Sequence, residues 1–218
     1  MTGSSKPPIA LESRDAAGGM LFSPSAGRNK GPIAEALAEL LPKGARVLEI
    51  ASGTGEHGEQ VCKTRPDIVW TPSEPDAASR ASCAARAAAS DGAIRPPLAL
   101  DVSAPDWAKG VPQQDAIFCA NMIHIAPWSA AEGLAAGAAR LLPPGGLVIL
   151  YGPFLEGAAS APSNLKFSED LKRRDAAWGV RELGDVEALF SAAGFGLREN
   201  RPMPANNRIL VFSLSGAG

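Results

Sequence analysis

The sequence predicts an α/β fold in which a mostly parallel sheet carries helices on both faces. Three observations predict it. Strand and helix patterns alternate along the chain; the strands are continuous apolar runs, as in Leu147-Val-Ile-Leu-Tyr151; and the first of them, Arg46-Val-Leu-Glu-Ile50, leads directly into a glycine-bearing turn, Ser52 to Gly58. Continuous apolar strands are buried on both faces, which a parallel sheet between two helix layers provides. With 218 residues, 45% hydrophobic and 20% charged, the chain has room for one domain with its own core and is unlike a disordered polymer.

The elements follow in order. Residues 1–20 are rich in Gly, Ser, Pro and Ala without periodicity and read as a flexible N-terminal arm, leaving 21–218 as the single domain. Pro32 suits a first helical position, and Ile33, Leu37, Leu40 and Leu41 form one apolar helix face that ends before Pro42. After the first strand and its turn, a helix runs toward Lys63. A strand at Ile68 to Thr71, an alanine-rich helix at Ala77 to Ala89 and a short strand at Leu98 to Asp101 come next. Asp115 to Asn121 is a strand that meets His124, a helix covers Ala130 to Leu142, and Pro143-Pro-Gly-Gly146 turns the chain into the strand at Leu147 to Tyr151. The segment near 152–184 exceeds the usual strand-to-helix connection of about two to six residues and reads as a lid or substrate wall. A helix at Asp185 to Ala193 presents Val186, Leu189 and Phe190, and a final hairpin pairs Gly196 to Arg201 with Arg208 to Leu214.

Composition excludes several functions. The formal charge is -2 and Lys and Arg are scattered, so no basic footprint for nucleic acid exists. No apolar run approaches the roughly 18 residues of a membrane helix, and residues 1–20 lack the basic-then-apolar order of a signal peptide. Cys62, Cys83 and Cys119 are an odd trio without metal-ligand spacing and read as reduced thiols of a cytoplasmic protein, with no metal site. Cys119 is either strand core, as Phe118 and Ala120 beside it suggest, or a catalytic thiol.

Gly53-Thr-Gly55-Glu-His-Gly58 matches the GxGxxG pattern between a strand and a helix, where a dinucleotide fingerprint sits. The neighbouring charges choose the ligand. Glu49 near the strand end and Glu56 at the helix start stand where a pyrophosphate would lie, with a repulsion on the order of 4 kcal/mol per close pair. A cation suits the turn better, and S-adenosylmethionine (SAM) carries a sulfonium and an ammonium with no phosphate. The run from Glu49 through Ala51 to Gly53 and Gly55 resembles the first motif of class I SAM-dependent methyltransferases, whose strand-end acid lies near the methionine amine. Glu74 follows the second strand, where a carboxylate accepts ribose hydroxyls, and Asp101 follows the third, where that family places an acid near the adenine amino group. Asn121 at the end of the fourth strand completes the cofactor set. Each acid also has a plain reading: a salt-bridged strand end for Glu49, an exposed turn for Glu74, a capping residue for Asp101.

Methyl transfer requires placement of a nucleophile and, for some acceptors, removal of a proton. Asn121-Met-Ile-His124-Ile-Ala-Pro-Trp128 occupies the strand end beside the methyl group and lacks the Asn/Asp-Pro-Pro-aromatic signature of amide and base-nitrogen methylation. His124 is the general-base candidate because an unperturbed imidazole titrates near neutrality; the rival reading is a structural histidine on a loop carbonyl. Trp128 stacks on a ligand or packs. Arg28, Asn29, Tyr151, Asn164, Arg174, Asn206 and Asn207 make up the substrate-facing set. Their plain alternatives are a helix cap at Arg28-Asn29, a solvated face at Arg174 and turn formation at Asn206-Asn207.

Phe22-Ser-Pro with Arg28-Asn-Lys, Glu49 to Gly58, Ser73-Glu-Pro-Asp76, Asn121 to His124, Asn164 with Phe167 and Asp170, Trp178-Gly with Arg181, and Met203-Pro-Ala-Asn-Asn207 together resemble the methyltransferase-like 26 family over residues 20–214. The resemblance implies the Rossmann-like class I methyltransferase fold, a seven-stranded mostly parallel sheet of order 3-2-1-4-5-7-6, with SAM as cofactor. In that fold the final hairpin turn returns to the ligand-binding edge. It implies no particular acceptor. Gly27 departs from the acid that the family tends to carry before Arg28, which weakens any charged role there. The expected activity is methyl transfer to a small molecule, with neither nucleic acid nor membrane as partner and a homodimer left open. The rivals are a SAM-binding enzyme that rearranges or cyclises its substrate without methylation, a non-catalytic partner subunit, and a nicotinamide-dependent dehydrogenase.

Overall fold

The computed structural model describes residues 14–216. A hairpin of β1 (Asp15–Ala17) and β2 (Met20–Phe22) leads into α1 (Pro24–Leu40), β3 (Arg46–Ile50), α2 (Glu56–Thr64), β4 (Val69–Ser73) and α3 (Ala77–Ala88). There follow β5 (Ala116–Ala120), α4 (Trp128–Leu141), β6 (Leu147–Pro153), α5 (Pro162–Arg174), α6 (Leu183–Ala192), β7 (Phe195–Met203) and β8 (Asn207–Leu214). The main sheet has the order β4-β3-β5-β6-β8-β7; its first four strands are parallel, and β8 runs antiparallel to both neighbours.

Strand alternation sorts the core into two layers. Leu48, Ile50, Ile117, Cys119, Val148 and Leu150 meet Leu134 and Ala138 of α4 and Phe190 of α6 on one face. Val47, Ala116, Phe118 and Ile149 meet Ile33 and Leu37 of α1 and Val61 of α2 on the other. The α/β class with helices on both faces is therefore as the sequence predicts. Cys119 lies in the strand core, where burial pushes its thiol up to about 12, far from a nucleophile's range.

Among the described residues the sheet departs from expectation in having six strands, so the seven-stranded order 3-2-1-4-5-7-6 is not realised. The stretch Leu98 to Asp101, expected as the edge strand, touches β4 only through isolated bridges, Ser73 with Leu98 and Trp70 with Ile94. Pro96 and Pro97 bring no N–H to a ladder there, and Asp101 already closes a turn, its carboxylate accepting from the Ser103 N–H at 2.9 Å.

The N-terminal side also differs. The arm expected over 1–20 falls outside the described residues up to position 13, but its last part forms the β1-β2 hairpin, with Gly18 and Gly19 both at positive φ in the turn. Helix α1 starts at Pro24, eight residues before Pro32, because Ser23 caps it through the Ala26 N–H at 3.3 Å and Pro24 occupies the first turn; Pro32 is carried inside the helix. The 152–184 segment contains α5, whose Leu171 packs in a small cluster with Leu155 and Val180 from either side of the helix in the chain.

Candidate functional site

The turn after β3 carries three left-handed residues, Ala51 (φ 54°), Gly53 (φ 57°) and Gly55 (φ 81°). Left-handed backbone strains a residue with a Cβ, so Ala51 is a strained position at the strand tip. The glycines of the motif have different tasks. A Cβ on Gly55 would lie 3.1 Å from Cys83 Sγ, and one on Gly58 would lie 2.4 Å from Trp70 Nε1, so these two let the turn and α2 approach α3 and β4. Gly53 alone faces open space, the nearest atom to its absent Cβ being Arg14 Nη2 at 3.9 Å. Packing against Cys83 thus holds position 55 to glycine.

Glu74, at the end of β4, is buried, and Oε2 accepts the Gly53 N–H at 2.8 Å while Oε1 accepts the Asp76 N–H at 3.2 Å. Desolvation raises its pKa above the ordinary carboxylate value, against the pull of those two N–H groups. Arg14, which belongs to no sequence motif, donates to Ser79 Oγ at 2.8 Å and so lies across the same turn.

Glu49 and Glu56 do not stand as free acids at a ligand. Glu49 is 1% exposed, accepts the indole N–H of Trp70 at 3.0 Å and lies 3.5 Å from His57 Nδ1. Glu56 accepts the Ser23 N–H at 2.8 Å, the Thr54 hydroxyl at 3.0 Å and Lys30 Nζ at 2.9 Å. The local field at the turn is thus weaker than the bare sequence suggests, and Glu49 supports the turn from beneath. His57 Nε2 meets Asn29 Oδ1 at 3.0 Å, and Asn29 also bonds the buried Tyr151 hydroxyl, so β3, β6, α1 and α2 share one polar chain. Arg86, unforeseen, is buried and donates to Thr54 O at 2.9 Å and Leu21 O at 2.7 Å, pinning the hairpin to the glycine turn; it also pairs with Glu59.

At the end of β5, Asn121 is left-handed (φ 61°) and opens the short 3-10 turn that holds His124. His124 is 1% exposed. Its Nδ1 accepts the Arg181 backbone N–H at 3.3 Å, which puts the ring proton on Nε2, a buried atom with no hydrogen-bond partner among the described residues. Burial and the Arg181 charge hold its pKa down to about 3. In this arrangement the ring is a neutral donor; taking up a proton would require the Arg181 bond to break. The Arg181 guanidinium donates to Ile123 O at 2.8 Å and Ala126 O at 2.7 Å and lies over the Trp128 ring, so Trp128 packs on a clamp.

The substrate-facing set divides. Asn29 and Tyr151 lie together as described, and Arg28 is exposed on α1. Asn164 is buried and donates to Phe154 O at 3.1 Å and Asn206 O at 3.0 Å; Asn206 donates to Ser163 Oγ at 2.9 Å; Asn207 donates to Pro204 O at 2.9 Å. Asn164 and Asn206 clasp the final hairpin turn to α5, and Asn207 closes the turn on itself. Arg174 is exposed at the end of α5, apart from them. Asp101 is exposed in its turn beyond Leu98 and not at a strand end. No cluster that would hold a metal ion occurs among the described residues.

A parallel β4-β3-β5-β6 core with the antiparallel β8 beside it, a left-handed glycine turn after its central strand and an acid after the next strand make up an α/β fold that matches solved methyltransferases. Residues 20–214 match the family described as "Protein of unknown function (DUF938)", and the chain belongs to that family. Solved structures share the fold. An O-methyltransferase family protein from Burkholderia thailandensis aligns with a TM-score of 0.75 at 17% identity, covering 89% of this chain and 58% of that one. The O-methyltransferase family 2 protein from Planctomyces limnophilus DSM 3776, solved with apigenin, aligns at 0.72 and 18%, covering 87% and 58%. Human N-acetylserotonin methyltransferase, solved with SAM, aligns at 0.69 and 14%, covering 88% and 53%. The chain spans little more than half the length of these proteins.

Proposed function

We propose that this chain binds SAM at the ends of β3, β4 and β5 and transfers its methyl group to a small-molecule acceptor. The observation that carries the reading is the Gly53–Glu74 pair, a buried carboxylate 2.8 Å from the N–H of a left-handed glycine whose Cβ position is open. A carboxylate accepting two backbone N–H bonds keeps lone pairs for two ribose hydroxyls, and an open Gly53 admits a ligand against the backbone. Asp101, with lone pairs beyond its bond to Ser103, is assigned the adenine amino group, and Ala51 and Asn121 shape the turns on either side. SAM, when bound, supplies a methyl group activated on a sulfonium. The protein's share is then placement and the exclusion of water.

Glu49 is assigned to the turn beneath the ligand, through Trp70 and His57. Asn29 and Tyr151 on the α1 side and the 152–184 segment, with Arg174, form the proposed acceptor wall, and Arg28 is assigned to its rim. Support for a small acceptor comes from the O-methyltransferases that share the fold, and support for the cofactor from the structures solved with SAM or, for CalO1, with SAH. No helix among the described residues is long and apolar enough to cross a membrane.

The test is thermal unfolding with SAM, its demethylated product S-adenosylhomocysteine, and NADH. Saturation at a hundred times the dissociation constant adds about 2.7 kcal/mol, a readily measured rise in Tm. A rise with SAM and its product, lost in Glu74→Ala, is expected; stabilisation by NADH alone, or by none of the three, overturns the reading.

A further inference from the structure

We propose that His124 acts as a neutral hydrogen-bond donor to an acceptor oxygen that already carries its negative charge, a carboxylate, phenolate or enolate, and does not remove the acceptor's proton. This rests on the methyl-transfer reading above and names its substrate class.

The two ring nitrogens have separate fates. Nδ1 is occupied by the Arg181 N–H, so the proton is on Nε2, and Nε2 is buried without a partner among the described residues. Buried donors in folded proteins are paired almost without exception, which marks this N–H as one that a ligand completes. It points at β6 where Gly152 has no side chain. A Cβ there would lie 2.6 Å from Nε2 and 3.2 Å from Asn121 Oδ1, so the imidazole packs on the Gly152 backbone and any larger residue would displace it. The Asn121 amide stands beside the same spot and, turned over, presents its Nδ2 as a second donor.

The ring is also held against reversal. Gly179 N–H binds the His124 carbonyl at 2.9 Å, the Arg181 guanidinium grips the carbonyls of Ile123 and Ala126, and the Phe154 ring meets the imidazole edge-on at 5.2 Å between centroids. A base needs a lone pair on the nitrogen that faces the acceptor, and the facing nitrogen carries a proton. Arg181 adds a positive charge beside the ring, which opposes a second proton there and favours an anion.

The chemistry balances without a base. The anionic oxygen supplies the electron pair of the new O–C bond, the C–S bond of SAM breaks with its pair passing to sulfur, the sulfonium is neutralised, and no proton moves. Ordinary alcohols, protonated at neutral pH, are excluded as acceptors.

The test uses the full chain with S-adenosylhomocysteine and para-nitrophenol, whose absorbance distinguishes phenolate from phenol. Wild type is expected to bind the phenolate and shift its ionisation toward the anion. His124→Gln keeps an N–H donor but no imidazole base and should bind within about threefold of wild type, whereas His124→Phe should lose about tenfold or more, the worth of a hydrogen bond to a charged group. Binding of the neutral phenol, equal loss in both variants, or no binding of the phenolate by wild type overturns the proposal. Nitrogen NMR of the wild-type ring gives an independent readout that needs no variant to fold: a proton on Nδ1 overturns it. Titration of S-adenosylhomocysteine in the same samples separates failure of the cofactor reading, which would remove that binding altogether.

Discussion

Gly58 packs against Trp70 so closely that a Cβ on the glycine would lie 2.4 Å from the indole nitrogen, the same nitrogen that donates to Glu49 at 3.0 Å. Gly58→Ala must therefore displace the indole and break a bond to a buried carboxylate. Overpacking and the lost bond together cost about 2 to 4 kcal/mol. Gly53→Ala meets open space and costs only the left-handed strain, about 1 to 2 kcal/mol. Urea unfolding should rank Gly58→Ala as the more damaging, while SAM titration should show Gly53→Ala as the variant whose ligand binding falls beyond its loss of stability.

Glu74 gives the ligand site a pH dependence with a definite sign. Its folded pKa is raised by burial, so the folded protein holds this proton more tightly than the unfolded chain. Its ionisation therefore costs stability as pH rises through the raised value, and the ligand needs the ionised form. Calorimetric titration across the acid range should show SAM affinity falling about tenfold per pH unit below that value. The fall should begin above the ordinary glutamate value of 4.5.

Glu56 has the opposite sign. Ser23, Lys30 and Thr54 hold its folded pKa below 4.5, against the burial that raises it. Its contribution to stability is present above 4.5 and is lost as pH falls through the depressed value. Glu56→Ala strands the Ser23 N–H and half-exposes the anchoring of α1 on α2, at a cost of about 2 kcal/mol near neutrality, discounted because Lys30 is one-third exposed. Chemical unfolding at neutral and acid pH should show the difference between wild type and variant shrinking in acid.

The same residue shows how far the sequence could be read. Burial on both faces of the parallel strands is written in their apolar runs, so β3, β5 and β6 follow from those runs, and Glu74 lies just after β4, near the strand expected at Ile68 to Thr71. What Glu56 does is not local: Lys30 is 26 residues away, and only the packing of α1 on α2 brings the pair together and removes the charge that the sequence assigned to the ligand. The division of labour among Gly53, Gly55 and Gly58 is hidden for the same reason, since Cys83 and Trp70 decide it from other elements. The β1-β2 hairpin and the start of α1 carried local signals, Gly18-Gly19 for a tight hairpin turn and Ser23-Pro24 for a helix cap. His124's proton depends on the Arg181 backbone, 57 residues on, which no motif announces.

Asn164 offers a final test of structural against ligand-binding roles. The turn it grips contains two consecutive left-handed residues, Ala205 (φ 58°) and Asn206 (φ 57°), a conformation that residues with a Cβ leave unless held. Two bonds tie it to α5, Asn164 Nδ2 on the Asn206 carbonyl and Asn206 Nδ2 on Ser163 Oγ, beside the internal bond of Asn207 to Pro204 O, while the second Asn164 N–H secures Phe154 O beyond β6. Asn164→Ala removes both Asn164 bonds from a buried position and should cost about 2 to 3 kcal/mol, with faster amide exchange at Ala205 to Asn207. Ala205→Gly in that background should return part of the loss, because glycine adopts the left-handed turn without a Cβ penalty. The affinity for SAM should stay within about twofold of wild type in both variants, since the clasp lies beyond β6 and α5 while the ligand is assigned to β3, β4 and β5. A fall in SAM affinity with unchanged stability would instead give Asn164 a place in the ligand site.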